Sequence, residues 1–420
     1  MGYVWSRAIA LLTLAWAGIA TAAPTLTLEA RLQGLGPQAG GHYAPSLHSP
    51  KSAAFSPDGR LLYVNALEAG ETLVFRFPSL EPVAQIKHRF GPDNAALFQG
   101  LNTAFDYKLA PEMPIQRPND FTGKPVEMAF SHQGRFLWIP YYRRSTDPRS
   151  AGPSAVAIVD TATQRLVRVI PTGSLPKFVA VSPDSSVVAV IHWGDNTVMT
   201  IDSRGTDPKQ WRIGQHWSVE RRLNLATIGG DRDRNCGYCL RGATFTTDGR
   251  YLLVARMGGG GIAGFEVASG RYLGTVRNVP ATPRHLVLSK DGKTLWFTSN
   301  VSGTLSRMST PDLLGALEEA HGKSVNGPAP QTLTVGGGAR TVAVSPDERW
   351  AFVASNTSQS IVAVDLHAWK VTGKAGASPF PVGLAVSPDG CSVVSTSQGR
   401  AGKGGGNRVD VFRWSGCLKP

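Results

Sequence analysis

Residues 178–202 read FVAVSPDSSVVAVIHWGDNTVMTID. Three short apolar runs, alternating or β-branched, are divided by Ser182-Pro183-Asp184 and by Trp193-Gly194-Asp195-Asn196. Such runs between turn-forming residues spell three antiparallel strands joined by hairpins. The same punctuation recurs at Ser56 to Gly59, Ser131 to Gly134, Thr246 to Gly249, Ser289 to Gly292, Ser345 to Asp347 and Ser387 to Gly390, each after an apolar run and before a strand-like one. The seven anchors lie 75, 51, 64, 43, 56 and 42 residues apart. A sheet of this size cannot bury both faces alone, so seven copies predict an all-β fold, a seven-bladed β-propeller whose blades pack face to face around a channel.

The strand wording resembles the YVTN-type β-propeller repeat family. Tyr63-Val64-Asn65, Trp296 to Asn300 and Phe352 to Asn356 stand where that family has its Tyr-Val-Thr-Asn strand, and Asp160, Asp202 and Asp365 close third strands as they do there. The resemblance covers nearly the whole mature chain and implies an exported seven-bladed propeller. It implies no single activity, because the family spans binding proteins and redox-enzyme subunits.

Ahead of the repeats, Arg7 precedes the apolar run Ala8 to Ala20, which is too short to span a bilayer, and Ala20-Thr21-Ala22 supplies small residues at cleavage positions. Residues 1–22 are therefore expected to be a signal peptide and 23–420 a single propeller, with periplasmic export the simplest destination. No later stretch approaches a transmembrane segment. The 47 Gly and 29 Pro fit the many turns of one closed domain. The formal charge of +13 becomes +12 without Arg7, a basic surface suited to anionic ligands, acidic partners or an anionic membrane surface. Nucleic acid is a poor fit for an exported chain, and a monomer is expected.

Four cysteines in an oxidising compartment favour pairing. Cys391 opens the second strand of the last blade and Cys417 follows its third, so a bridge there would tie the C-terminus to its own sheet. Cys236 and Cys239 form a CxxC inside an insertion. Leu240 stands where c-type haem attachment would need His, and no second CxxC completes a zinc site, so a small structural disulfide is expected.

The segment Pro24 to Leu32 alternates Leu26, Leu28 and Ala30 against Thr25, Thr27 and Glu29. Beside the C-terminal strand Val409 to Trp414 it would complete the seventh blade, and closure would remove exposed sheet edges. Insertions are expected at about 87–124, 142–154, 203–240 and 311–332, where long loops on a rigid scaffold can carry recognition. Pro311 to His321 reads as one short helix with Leu313, Leu314 and Leu317 on a face.

Superimposing the seven anchors locates the site. The residue five before each anchor lies where the chain enters its innermost strand, at the channel mouth; these residues are Lys51, Val126, Lys177, Arg241, Arg284, Arg340 and Val382. Five are cationic. Like charges crowded on one axis repel unless an anion joins them, and Arg adds a planar fork for carboxylate or phosphate. His285 and Glu127 follow Arg284 and Val126 directly, and His192-Trp193, Tyr141-Tyr142 and Arg256 lie in the turns after second strands. The bland alternative turns these side chains outward to pair with loop carboxylates such as Asp231.

Two functional classes follow. One is a non-catalytic periplasmic module that binds an anionic small molecule, an anionic polymer or a periplasmic protein through Lys51, Lys177, Arg241, Arg284, Arg340, His285, His192 and Glu127. The other is an enzyme or redox-enzyme subunit. What the architecture implies there is a dehydrogenase heavy chain, a haem protein with His192 or His285 as axial ligand, or a lactonase with Glu127 or His285 as general base. No phosphate loop, nucleophile elbow or His-Glu-x-x-His is present, no His pair has metal-ligand spacing, and the sequence identifies no cofactor. Binding is the preferred expectation.

Overall fold

The structure, a computed structural model, describes residues 23–34, 42–99, 120–150, 152–223, 230–399 and 406–417. The expected signal peptide lies outside them. Residues 178–202 fold as read: Pro176–Val181, Val187–His192 and Thr197–Asp202 form an antiparallel meander. A fourth strand, Arg212–Ser218, completes the blade from within the 203–240 stretch. Seven such sheets make a seven-bladed β-propeller, with innermost strands Pro50–Phe55, Ala129–Ser131, Pro176–Val181, Leu240–Phe245, Pro283–Leu288, Ala339–Val344 and Pro381–Val386 in blades 1 to 7.

The anchor residues build one small device repeatedly. The first hydroxyl donates to the Asp two residues on, as in Ser56 to Asp58 at 2.5 Å and Ser289 to Asp291 at 2.6 Å, and accepts the backbone N–H five residues on, as from Leu61 and Thr294 at 2.9 Å. The Asp also accepts the N–H two residues beyond itself, from Arg60 at 3.1 Å. These bonds satisfy the turn internally and fix the next strand in register. The fourth turn position is left-handed, with φ 72° at Gly59. Blade 2 departs from the pattern: Ser131 Oγ accepts from Trp138 Nε1 at 2.9 Å, and His132 in place of Pro stacks on Trp211 at 5.2 Å.

Stability resides between blades. Trp138 of blade 2 and Trp211 of blade 3 stack at 5.1 Å, both almost fully buried, in a cluster with Val156, Ile158, Val190 and Met199. Burying one such indole removes roughly 200 Å² from water, worth roughly 5 kcal/mol before entropy. A helix over Thr310–Glu319, capped by Ser309 Oγ accepting from Asp312 N at 3.3 Å, buries Leu313 and Leu317 against blade 4, while Leu314 is only partly buried.

The ring closes as the termini suggest. Leu26–Gln33 pairs antiparallel with Arg408–Trp414, and Arg31 Nε meets the buried Asp410 carboxylate at 2.6 Å. The inward set differs from simple alternation. A bulge between Leu28 and Ala30 shifts the phase of the strand beyond it; Leu26, Leu32 and Gln33 are buried, and Leu28 is 42% exposed. Cys391 is bridged to Cys417, and Cys236 to Cys239. Among the described residues no helix is long and apolar enough to cross a membrane.

Candidate functional site

The innermost strands share an irregularity that builds the site. Pairing with the second strand skips between Pro50 and Ser52, Pro176 and Phe178, Leu240 and Ala243, Pro283 and His285, Ala339 and Thr341, and Pro381 and Gly383. A residue held in a bulge leaves the ladder, and its side chain is re-aimed. Those residues include Lys51, Lys177, Arg241, Arg284, Arg340 and Val382. The preceding blade compensates the exposed backbone: Thr298 Oγ1 of blade 5 donates to the Arg340 carbonyl of blade 6 at 2.9 Å, and Thr341 Oγ1 of blade 6 to that of Val382 in blade 7 at 2.7 Å.

Five of these bulges aim a cation into one cavity of about 660 Å³, large enough for a small organic ligand. Lys51, Lys177, Arg241, Arg284 and Arg340 line it together with Val126, Lys124 and Arg143. Val382 is not among the lining residues. Two carboxylates, Glu68 and Asp233, share the wall with those seven cations. The rest is Leu67 with polar and aromatic residues: Asn300, Asn356, Thr357 and Gln398 on one side, Tyr142 and Trp193 on the other.

Some of the charge is matched. Lys124 Nζ meets Glu68 at 2.6 Å, Arg241 Nη2 donates to Glu127 Oε1 at 2.5 Å, and Arg143 lies 3.9 Å from Asp231. Lys177 is bonded to Asp233 and lies over the rings of Trp193, at 3.9 Å, and Tyr142, at 4.8 Å. Burial, only partly offset by Asp233 and reinforced by Arg241 and Arg284, brings Lys177 down to about 7. Asp233 is held below the usual carboxylate range: burial works against its charge, but Lys177 and a hydrogen bond from Tyr142 outweigh it.

Two cations of the wall, half-buried Lys51 and buried Arg284, have neutral partners instead. Lys51 Nζ donates to Gln398 Oε1 at 3.0 Å, and Arg284 Nη1 reaches the Met257 sulfur at 3.0 Å. Neither makes an ion pair among the described residues. Burial first, then Arg340, Arg241 and Arg284, pushes the Lys51 ammonium well below its usual range, and burial with Arg340 and Arg241 pushes Arg284 the same way. Arg340 lies over Phe380 at 5.9 Å.

The other residues singled out in the sequence go elsewhere. His285 is turned from the cavity onto Phe178, with ring centroids 5.6 Å apart, and burial beside Arg241 and Arg284 lowers it to about 3. His192 is buried too: Nε2 accepts from Gly173 N at 3.1 Å, Nδ1 bonds Thr197 Oγ1 at 2.8 Å, and burial lowers it to about 4. Glu127 stands behind the wall, on Arg241. Arg256 is committed to Glu220 at 2.6 Å and Thr275 at 2.8 Å. Among the described residues no cluster of His, Cys, Asp and Glu could hold a metal ion.

The amide wall escaped the anchor comparison, although the same alignment contains it. Leu67, Trp193, Asn300, Asn356 and Gln398 each follow the last residue of a second strand. Asp233 has no such signal, since it arrives from the CxxC insertion.

A family model described as "Lactonase, 7-bladed beta-propeller" matches residues 115–401. No curated protein matches the sequence. The fold is similar to that of a solved chain of Kuenenia stuttgartiensis hydrazine synthase, with TM-score 0.58 and 14% identity over 90% of this chain and 99% of that one. It is also similar to a chain of a mitotic checkpoint complex, with TM-score 0.57 and 12% identity over 92% and 95%. The β-propeller domain of Myceliophteria thermophila Cps50 (Swd1) gives TM-score 0.59 and 10% identity over 87% and 97%. At these identities the likeness is one of fold.

Proposed function

This chain belongs to the seven-bladed β-propeller lactonase family, and on that footing we propose that its axial cavity binds a small organic anion. The observation that carries this reading is the pair Lys51, half-buried, and Arg284, buried, set in the cavity wall on neutral partners beside Arg241 and Arg340. A bound carboxylate or phosphate would supply the missing counter-charge, and the neighbouring amides could hold its polar body. Export fits the same picture: residues 1–22 have the character of a leader, and two disulfides suit an oxidising compartment. The YVTN-like strands are part of this reading, which makes the protein a periplasmic binding module.

A second reading, hydrolysis of an anionic lactone, is favoured by the family match. It requires a base facing the cavity, and the candidates are engaged. Glu127 is taken up by Arg241, Asp233 by Lys177, and His285 packs under Phe178. Haem ligation by the buried His192 would break one of its two ring hydrogen bonds, to Gly173 N or to Thr197 Oγ1. Capture of an anion makes the smaller demand on the geometry present.

Calorimetric titration with citrate, phosphate and malonate tests the proposal. Saturable binding is expected, weakened about tenfold or more by Arg284→Met, as loss of a charge-assisted hydrogen bond implies. Absence of binding by all three anions, or equal binding by the variant, would overturn it. Lactone turnover followed by acid release would instead favour the second reading.

A further inference from the structure

Three lysines reach the cavity, and their surroundings differ in kind. Lys124 is ion-paired with Glu68 at 2.6 Å. Lys177 is held by Asp233 between the rings of Tyr142 and Trp193. Both ammonium groups thus have a carboxylate that favours the charged form. Lys51 has only the Gln398 amide oxygen, which accepts a hydrogen bond equally from an amine or an ammonium. The charged groups acting on it are Arg241, Arg284 and Arg340, with Glu127 the smallest influence and the one opposed to them.

We propose that Lys51 is a nucleophilic amine that condenses with the carbonyl of an anionic aldehyde or 2-oxo acid held in the axial cavity. The inference rests on the anion-binding reading. Guanidinium groups stay charged where an amine can give up its proton, so the site divides its work. Arg284 and Arg340 would hold the substrate carboxylate, and Lys51 would meet the adjacent carbonyl carbon. An amine that donates one N–H to Gln398 keeps its lone pair for attack. Burial beside other cations is a recognised way to activate a lysine.

The step balances without an oxidant or reductant. The Nζ lone pair forms the new C–N bond, the carbonyl π pair moves to oxygen, and one N–H proton passes to that oxygen to give a carbinolamine. The C–O bond then breaks, the second N–H proton leaves with the hydroxyl as water, and the nitrogen pair closes the C=N bond. The product is a Schiff base. It remains joined to the protein until water reverses the sequence.

The test uses glyoxylate, an anionic aldehyde, with cyanoborohydride to fix any imine, followed by peptide mapping of the intact chain. Lys51 should be modified about tenfold faster or more than exposed Lys370, as local activation and orientation imply. Malonate, which has the charge but no aldehyde or ketone, should protect Lys51 and leave Lys370 unaffected. Arg284→Met should slow modification of Lys51 alone. In Lys51→Arg the cavity adduct should vanish while modification of Lys370 continues at the wild-type rate. Modification of Lys51 no faster than of Lys370, or unaffected by malonate, overturns the inference. Malonate binding without an adduct at Lys51 sinks this inference and leaves anion binding standing, whereas failure of both malonate and glyoxylate to bind sinks both.

Discussion

Removing a buried cation from the ring should make the empty protein more stable. Arg284 is 8% exposed, has no carboxylate within ion-pair distance among the described residues, and donates only to a methionine sulfur. Two unit charges about 7 Å apart at an effective dielectric of ~20 repel by roughly 2 kcal/mol. Arg241 and Arg340 both oppose Arg284, while Glu127 and Asp233 partly favour it. Arg284→Met keeps an unbranched flexible stem, forfeits one weak hydrogen bond worth about 1 kcal/mol, and removes the repulsion. A net gain of roughly 1–3 kcal/mol follows, or a rise in Tm of roughly 1–4 °C for a domain of this size. Scanning calorimetry and urea unfolding at low salt read it directly. Added citrate should then raise the Tm of the wild type toward that of the variant and move the variant far less, because a ligand stabilises only the state that binds it. If Arg284→Met unfolds earlier, as a core truncation would, Arg284 is a structural bolt and the idea of an unmatched charge is wrong.

Two further outcomes are expected. Leu32, 1% exposed in the strand that closes the ring, should cost about 2–5 kcal/mol on Leu32→Ala, and a urea midpoint unchanged from wild type would show that closure does not depend on it. Lys177 titrates near 7 in the folded protein but at about 10.4 when unfolded, so the unfolded chain binds more protons between those values. Stability of the empty protein should therefore rise with pH through that window, while citrate affinity falls as pH passes about 7 and the ammonium is lost. Both slopes should shrink in Lys177→Met; identical slopes would remove Lys177 from the account.

What could be read in the sequence was whatever repeats. The anchor hydroxyl and its Asp recur because each turn is satisfied by its own atoms, as at Ser56 with Asp58 and Ser289 with Asp291. The cation positions were legible for the same reason, standing at one offset from every anchor. Two histidines read beside the cations stand apart from them: His285, which follows the bulged Arg284, packs on Phe178, and His192 ends its strand bonded to Gly173 and Thr197 while Trp193 enters the turn. The phase of Leu26–Gln33 was lost at a bulge that alternation alone does not reveal. Asp233 was illegible because its pairing with Lys177 joins an insertion to a blade, and nothing local in either segment demands it.

The recurrence of the bulge gives the site its character. A bulge frees one residue from the ladder at little cost to the sheet, and rotation around the axis repeats that choice from blade to blade. Charges thereby accumulate where no single blade would tolerate them. The packing that holds the ring together lies farther out, in interblade clusters such as Trp138 with Trp211 and Trp350 with Trp414. The axial positions can consequently carry repulsion that the interblade core absorbs, and one side chain there can be exchanged without opening a core cavity. The arrangement separates the residues that make the ring from those that face the ligand, so substitutions at Lys51, Arg284 and Arg340 should weaken anion binding without unfolding the ring.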